Sequence, residues 1–148
     1  MAPTTDHVRA VVARYAEATA DNRVFFHPDI PEHRLAEALT AYPGIAPDDV
    51  LVLLDNTESG SATEGLLLTE DVIHARNGSG LVQRLAVPKL HSIELTPESP
   101  RVLRLNSITV LDAIRIRPGT MERFAAMLRE IAEGLGGAQQ VQTQITPK

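Results

Sequence analysis

The densest run of side-chain oxygens in the chain is Asp55-Asn56-Thr57-Glu58-Ser59-Gly60-Ser61. Asp55, Thr57 and Ser59 place oxygens at alternate positions ahead of a glycine, which is how a calcium loop opens. The twelfth position of such a loop is a bidentate glutamate, and here it is Leu66, so calcium does not fit. Turn chemistry does: Asp and Asn side chains satisfy nearby amides, and Gly60 supplies a positive φ. Asp48, Asp49, Asp55, Glu58 and Glu64 surround this turn without an intervening Lys or Arg. A turn of that charge suits a basic partner surface.

Other constellations offer less. His27, Asp29, Glu32 and His33 are close in sequence, but they lack the HExxH spacing and Pro28 and Pro31 interrupt them, so acids gathered at a helix start explain them better than a metal site. His74 and His91 fall on predicted strands, where either would serve as the general base of a small enzyme, the least favoured reading. No nucleophile elbow, phosphate-binding loop, dinucleotide fingerprint or paired-carboxylate motif occurs. The chain has no cysteine, which excludes thiolate nucleophiles and cysteine-ligated zinc. Neither a metal nor a cofactor is expected.

Composition narrows the partners. With 148 residues and a formal net charge of -5, one soluble domain is expected, and a general affinity for nucleic acid or anionic membranes is not. The longest apolar runs, such as 50–54 and 65–68, are about a quarter of a bilayer span, and the opening residues carry no signal-peptide pattern, so a cytoplasmic protein is expected. Between Arg101 and Arg129 six arginines face only Asp112 and Glu122, against the wholly acidic stretch 48–64. Arg115 and Arg117, read as the outer side of the last strand, become candidates for pairing with acidic partner residues.

The elements that must position these groups follow from hydrophobic rhythm. After a candidate cap at Asp6, Val8, Val11, Val12 and Tyr15 recur at helical steps, and that helix should end near Asp21-Asn22. A second helix starts at Pro31, aligns Leu35, Ala38, Leu39 and Tyr42, and stops at Pro43-Gly44. Val24-Phe25-Phe26 lies between them as an aromatic anchor. From residue 50 the rhythm becomes that of strands, at 50–55, 64–69, 72–77, 81–87, 91–95, 101–105 and 108–115. Turn formers at 77–80, 97–100 and 106–107 separate them, and Ile114 and Ile116 should point inward opposite Arg115 and Arg117. After an N-cap at Thr120, Met121, Phe124, Leu128, Ile131 and Leu135 form a helical stripe whose burial on a sheet contributes roughly 1.5–3 kcal/mol per large side chain. The polar tail 138–148 reads as disordered, or else as a strand at 141–145 added to a sheet edge.

Seven antiparallel runs and a final helix are the element order of a pleckstrin-homology-like (PH-like) barrel. The segment Val50-Leu-Val-Leu-Leu-Asp-Asn-Thr-Glu-Ser-Gly-Ser-Ala-Thr-Glu-Gly-Leu-Leu-Leu-Thr resembles one found in bacterial PH-like proteins of uncharacterised function. There an Asp-x-Thr-x-x-Gly-Ser turn leads into Gly-Leu-Leu-Leu-Thr, and the likeness spans about residues 45–135. It implies an α+β domain over 1–137, with two N-terminal helices (1–44) followed by a seven-stranded antiparallel barrel with its capping helix (48–136). Phosphoinositide-binding members carry a basic first hairpin where this chain is acidic, so that ligand is not expected. The functional expectation is a noncovalent protein- or peptide-binding adaptor without catalytic activity. Its binding residues would be Asp55, Asn56, Thr57, Glu58, Ser59, Arg115 and Arg117, and the spare apolar face of the first helix would allow a homo-oligomer. The alternative is an inhibitor or immunity-type partner of a toxin or effector enzyme.

Overall fold

The computed structural model describes residues 2–18, 23–77, 81–97, 101–137 and 142–145. Helix α1 (Ala2–Ala18) starts ahead of Asp6 rather than at it, and its expected end at 21–22 lies outside the described residues. Its stripe of Val8, Val11 and Val12 is buried in the main core, with Tyr15 packed at the margin. The apolar face reserved in sequence for a second subunit is therefore covered inside the chain, chiefly by the C-terminal helix.

The aromatic anchor is a strand. β1 (Val24–Phe26) pairs antiparallel with β2 (Val52–Asp55), so a β element stands between the two N-terminal helices. Alternation explains its place: Val24 and Phe26 join the main core, while Phe25 turns to the layer formed by α2 (Glu32–Ala41). β3 (Gly65–Leu68), β4 (Val72–Arg76) and β5 (Gln83–Ala86) complete a five-stranded sheet in the order β1-β2-β3-β4-β5. Leu53 and Leu67 pack under α2 with Ala38 and Tyr42, whereas Val52, Leu54, Leu66 and Leu68 face the main core. That two-sided burial is why β2 and β3 read as unbroken apolar runs.

β6 (Ser92–Leu95), β7 (Arg101–Leu105) and β8 (Ile108–Ala113) form a second antiparallel sheet in the order β8-β7-β6. β9 (Gln142–Ile145) adds to β6 in parallel, so this part of the tail is a strand; 138–141 and 146–148 lie outside the described residues. Helix α3 (Pro118–Ala132) buries Met121, Phe124, Leu128 and Ile131, packing on β6, β7 and α1. Thr120 is not its N-cap. Pro118 occupies the first turn, which sets Arg117 in extended backbone as the cap and buries Thr120 within the helix.

The seven-stranded barrel with a separate helical preface is contradicted. All seven runs contain strands, but they divide between two sheets, and no pairing joins β5 to β6. The cause is local. Val87-Pro88-Lys89 forms a single 3-10 turn, Pro88 has no amide to donate, and Val87 and Leu90 are buried. The chain thus leaves the first sheet before it begins the second. The turns at 78–80 and 98–100 lie outside the described residues.

Gly65 opens β3 at φ 142, and a Cβ there would sit 2.0 Å from Leu54 O. At Gly119 a Cβ would meet nothing within 4 Å. Gly65→Ala is expected to cost about 2–4 kcal/mol in urea unfolding, and Gly119→Ala to be neutral or stabilising by up to about 1 kcal/mol. Equal midpoints for the two variants would contradict this register.

Candidate functional site

The loop between β2 and β3 is organised by Asp55, which is 0% exposed. Its Oδ1 accepts hydrogen bonds from Thr57 N at 2.9 Å and Thr57 Oγ1 at 2.5 Å, the Asx turn expected of this residue type. Thr57 Oγ1 in turn accepts from Gly60 N at 3.0 Å and Ala62 N at 3.3 Å. Gly60 and Ala62 both have positive φ, and Ala62 plugs the core beneath α2. Arg34 Nη1 lies 2.5 Å from Asp55 Oδ2 and Arg23 Nη1 3.6 Å from Oδ1, so the buried charge is compensated from two sides. Arg23 also donates to Thr57 O, and the Arg34 guanidinium stacks 4.8 Å from the Phe25 ring centre. Asp55 is thus the clamp of the loop, with its carboxylate turned away from any partner.

Beyond this clamp the loop forms one wall of a cleft of about 540 Å³, lined by Asn56, Thr57, Glu58, Ser59, Ser61, Thr63, Glu64, Asn77, Asp112, Ile114 and Arg115. Asn56 joins the two walls: Nδ2 donates to Asp112 O at 2.6 Å, and Oδ1 accepts from Arg115 N at 2.8 Å. Asn77 adds a second tie, its Oδ1 accepting from Asp112 N at 3.0 Å. Glu58 and Arg115 meet at 3.4 Å as an exposed pair, with the Glu58 side chain 84% exposed. Three carboxylates, on Glu58, Glu64 and Asp112, thus face one guanidinium across hydroxyls and amides.

Of the residues singled out in sequence, Asn56, Thr57, Glu58, Ser59 and Arg115 line this cleft, and Asp55 and Arg117 do not. β8 ends at Ala113, so Arg115 sits in the following turn and Arg117 caps α3. The same turn breaks the expected alternation at one residue. Ile116 is buried, whereas Ile114 stands 65% exposed at the rim of the cleft. Glu64 reads in sequence only as one of the acids around the turn, whereas Asn77 and Asp112 were missed because they reach the cleft only through the packing of the two sheets. Asn77 and Asp112 do carry a signal, as polar residues at strand ends.

The histidines go elsewhere. His74 is 6% exposed beneath α2, edge-on to Tyr42 with ring centres 6.4 Å apart, and its Nδ1 has no hydrogen-bond partner among the described residues. Burial, and secondarily Arg84 across the strand pair, lower its pKa, while Asp71 partly offsets them. Burial likewise raises Tyr42. His91 is exposed ahead of β6, with its backbone N–H bound to Asn106 Oδ1. Among the described residues, no three His, Asp or Glu side chains converge to hold a metal. No helix among them is long and apolar enough to cross a membrane.

Replacing Asp55 by Ala leaves Arg34 half-buried without its anion and is expected to cost about 3–5 kcal/mol, whereas Glu58→Ala should stay within about 0.5 kcal/mol. Chemical unfolding distinguishes them, and a mild Asp55→Ala would remove its role as the clamp. For His74 the folded pKa lies below the unfolded one, so the unfolded chain takes up its proton first and stability falls as pH drops below about 6.5. His74→Gln should flatten the midpoint difference between pH 7.5 and 5.5, above the range in which Glu130, whose pKa is lowered, loses its contribution. An unchanged pH slope would contradict burial of a neutral imidazole.

No family model, curated protein or solved structure matches the chain.

Proposed function

We propose that this chain is a noncovalent protein-binding module whose inter-sheet cleft receives a basic side chain of its partner. The observation that carries this reading is the charge of the cleft, where Glu58, Glu64 and Asp112 outnumber Arg115 on walls pinned by Asn56. An incoming guanidinium or ammonium finds carboxylates to pair with and hydroxyls of Ser59, Ser61 and Thr63 to donate to. Exposed Ile114 adds an apolar contact beside the charged one, the combination of a small anchor and a polar rim used at protein interfaces. A net charge of -5 steers a basic partner toward the molecule.

Titrating the isotope-labelled chain with an arginine-rich peptide, and with its neutral citrulline counterpart, tests the reading. Amide signals of residues 56–64 and 112–115 should move with the arginine peptide alone. The double variant Glu58→Gln/Glu64→Gln should weaken binding about tenfold, equal to ~1.4 kcal/mol. Equal responses to both peptides, or shifts confined to other surfaces, would overturn it.

A further inference from the structure

β5 is the outer strand of the five-stranded sheet, and both of its faces open onto unfilled space. Val87 N donates to Asp71 O, and Val72 O accepts from Thr69 N on the β3 side. Together with the register Ile73↔Leu85 and Ala75↔Gln83, this fixes the ladder: Gln83 and Leu85 direct their amides to β4. The N–H and C=O groups of Arg84 and Ala86 therefore point away from the sheet, along its edge.

The two faces of that edge differ in chemistry. On the α2 side a cleft of about 820 Å³ is lined by Arg84 and Arg76 with Pro43, Leu81 and Val82, and Leu81 is 90% exposed. On the inner side, where the sheets fail to close, a groove of about 300 Å³ has walls of Ile73, Leu85, Leu105, Ile108 and Val110. Arg84 is exposed and forms no ion pair among the described residues.

We propose that β5 accepts an extended segment of a partner protein as a sixth strand, a segment whose side chains alternate between acidic and apolar. Successive residues of an added strand fall on opposite faces, so acidic side chains meet Arg84 in one cleft while apolar ones enter the groove beside Leu85 and Ile108. Backbone hydrogen bonds to Arg84 and Ala86 supply affinity, and the two pockets supply selectivity. Arg84 also decides against a second copy of this chain. Pairing β5 with β5 about a two-fold axis brings two Arg84 side chains onto the same face of the joined sheet, with no acid in β5 to meet them. The α2-side cleft shares Thr63 with the acidic cleft, but Arg84 and the apolar groove belong only to the edge, and Glu58, Glu64 and Asp112 only to the acidic cleft, so either proposal survives the failure of the other.

The test is titration of the isotope-labelled full chain with a capped hexapeptide alternating valine and glutamate, and with its valine–lysine counterpart. The Arg84 and Ala86 amides should shift and gain protection from hydrogen exchange, and the lysine peptide should bind at least tenfold more weakly. Arg84→Glu should reverse that preference. Ala86 already has φ -65, the value proline requires, so Ala86→Pro removes an outward amide without breaking the ladder and should abolish binding while circular dichroism stays unchanged. Binding that survives both substitutions, shifts that spare β5, or a concentration-dependent dimer lost in Ala86→Pro would overturn the proposal.

Discussion

A carboxylate buried away from solvent must be answered by the protein, and the answer to Asp55 fixes much of this structure. Removing such a group from solvent costs several kcal/mol unless nearby cations and donors replace the lost hydration. The replacements come from separate elements: Arg34 from α2, Arg23 from the residue ahead of β1, and Thr57 from the loop itself. None can move alone. A shift of α2 would expose the charge, a shift of β1 would withdraw Phe25 from the Arg34 guanidinium, and a change in the loop would leave Oδ1 without its donors. The clamp thereby binds the α2 layer to the five-stranded sheet at a place where hydrophobic contact alone would permit sliding.

The cleft inherits this rigidity. Asn56 follows Asp55 directly, and its amide reaches the turn beyond β8, so the position of the first sheet's loop sets the position of the second sheet's end. Two sheets without a hydrogen-bonded strand pair between them are held in relation by core packing and by such side-chain ties. Asn56 and Asn77 supply neutral, directional ties there, leaving the carboxylates of Glu58 and Glu64 available to solvent and to a partner. A cleft built this way would need little rearrangement to receive the proposed partner, which limits the ordering entropy that association must offset.

Elements defined by their own periodicity were legible in the sequence, and relations between distant elements were not. The stripe from Met121 to Ile131 and the Leu-rich runs of β2 and β3 carry their periods within a few residues, and each is found where its pattern placed it. The partner of β1 lies almost thirty residues downstream, and three residues give too short a run to separate a strand from an aromatic anchor. Asp55 misled for a similar reason. Its sequence neighbours are acidic and suggest a solvated turn, whereas its cations come from residues 23 and 34, which only the fold brings near. Ile114 obeyed alternation on paper, but β8 stops one residue earlier and the turn rotates it outward.

The departure from a closed barrel has a functional side. In a closed sheet every strand has two neighbours, so no backbone donors or acceptors are left along an edge. Here the 3-10 turn at Val87–Lys89 diverts the chain, and that one break leaves β5 with an open edge and the core with an open mouth between the sheets. A short edge strand carrying an exposed arginine resists pairing with copies of itself while remaining open to an acidic segment. The acidic cleft takes in Asp112 near the end of β8 and the turn beyond it, while Ile108, the first residue of the same strand, lines the apolar groove beneath the edge. On the two proposals above, their opposite charges would select different segments, and a single partner carrying a basic anchor and an acidic strand would engage both at once, gaining from effective concentration what neither contact supplies alone.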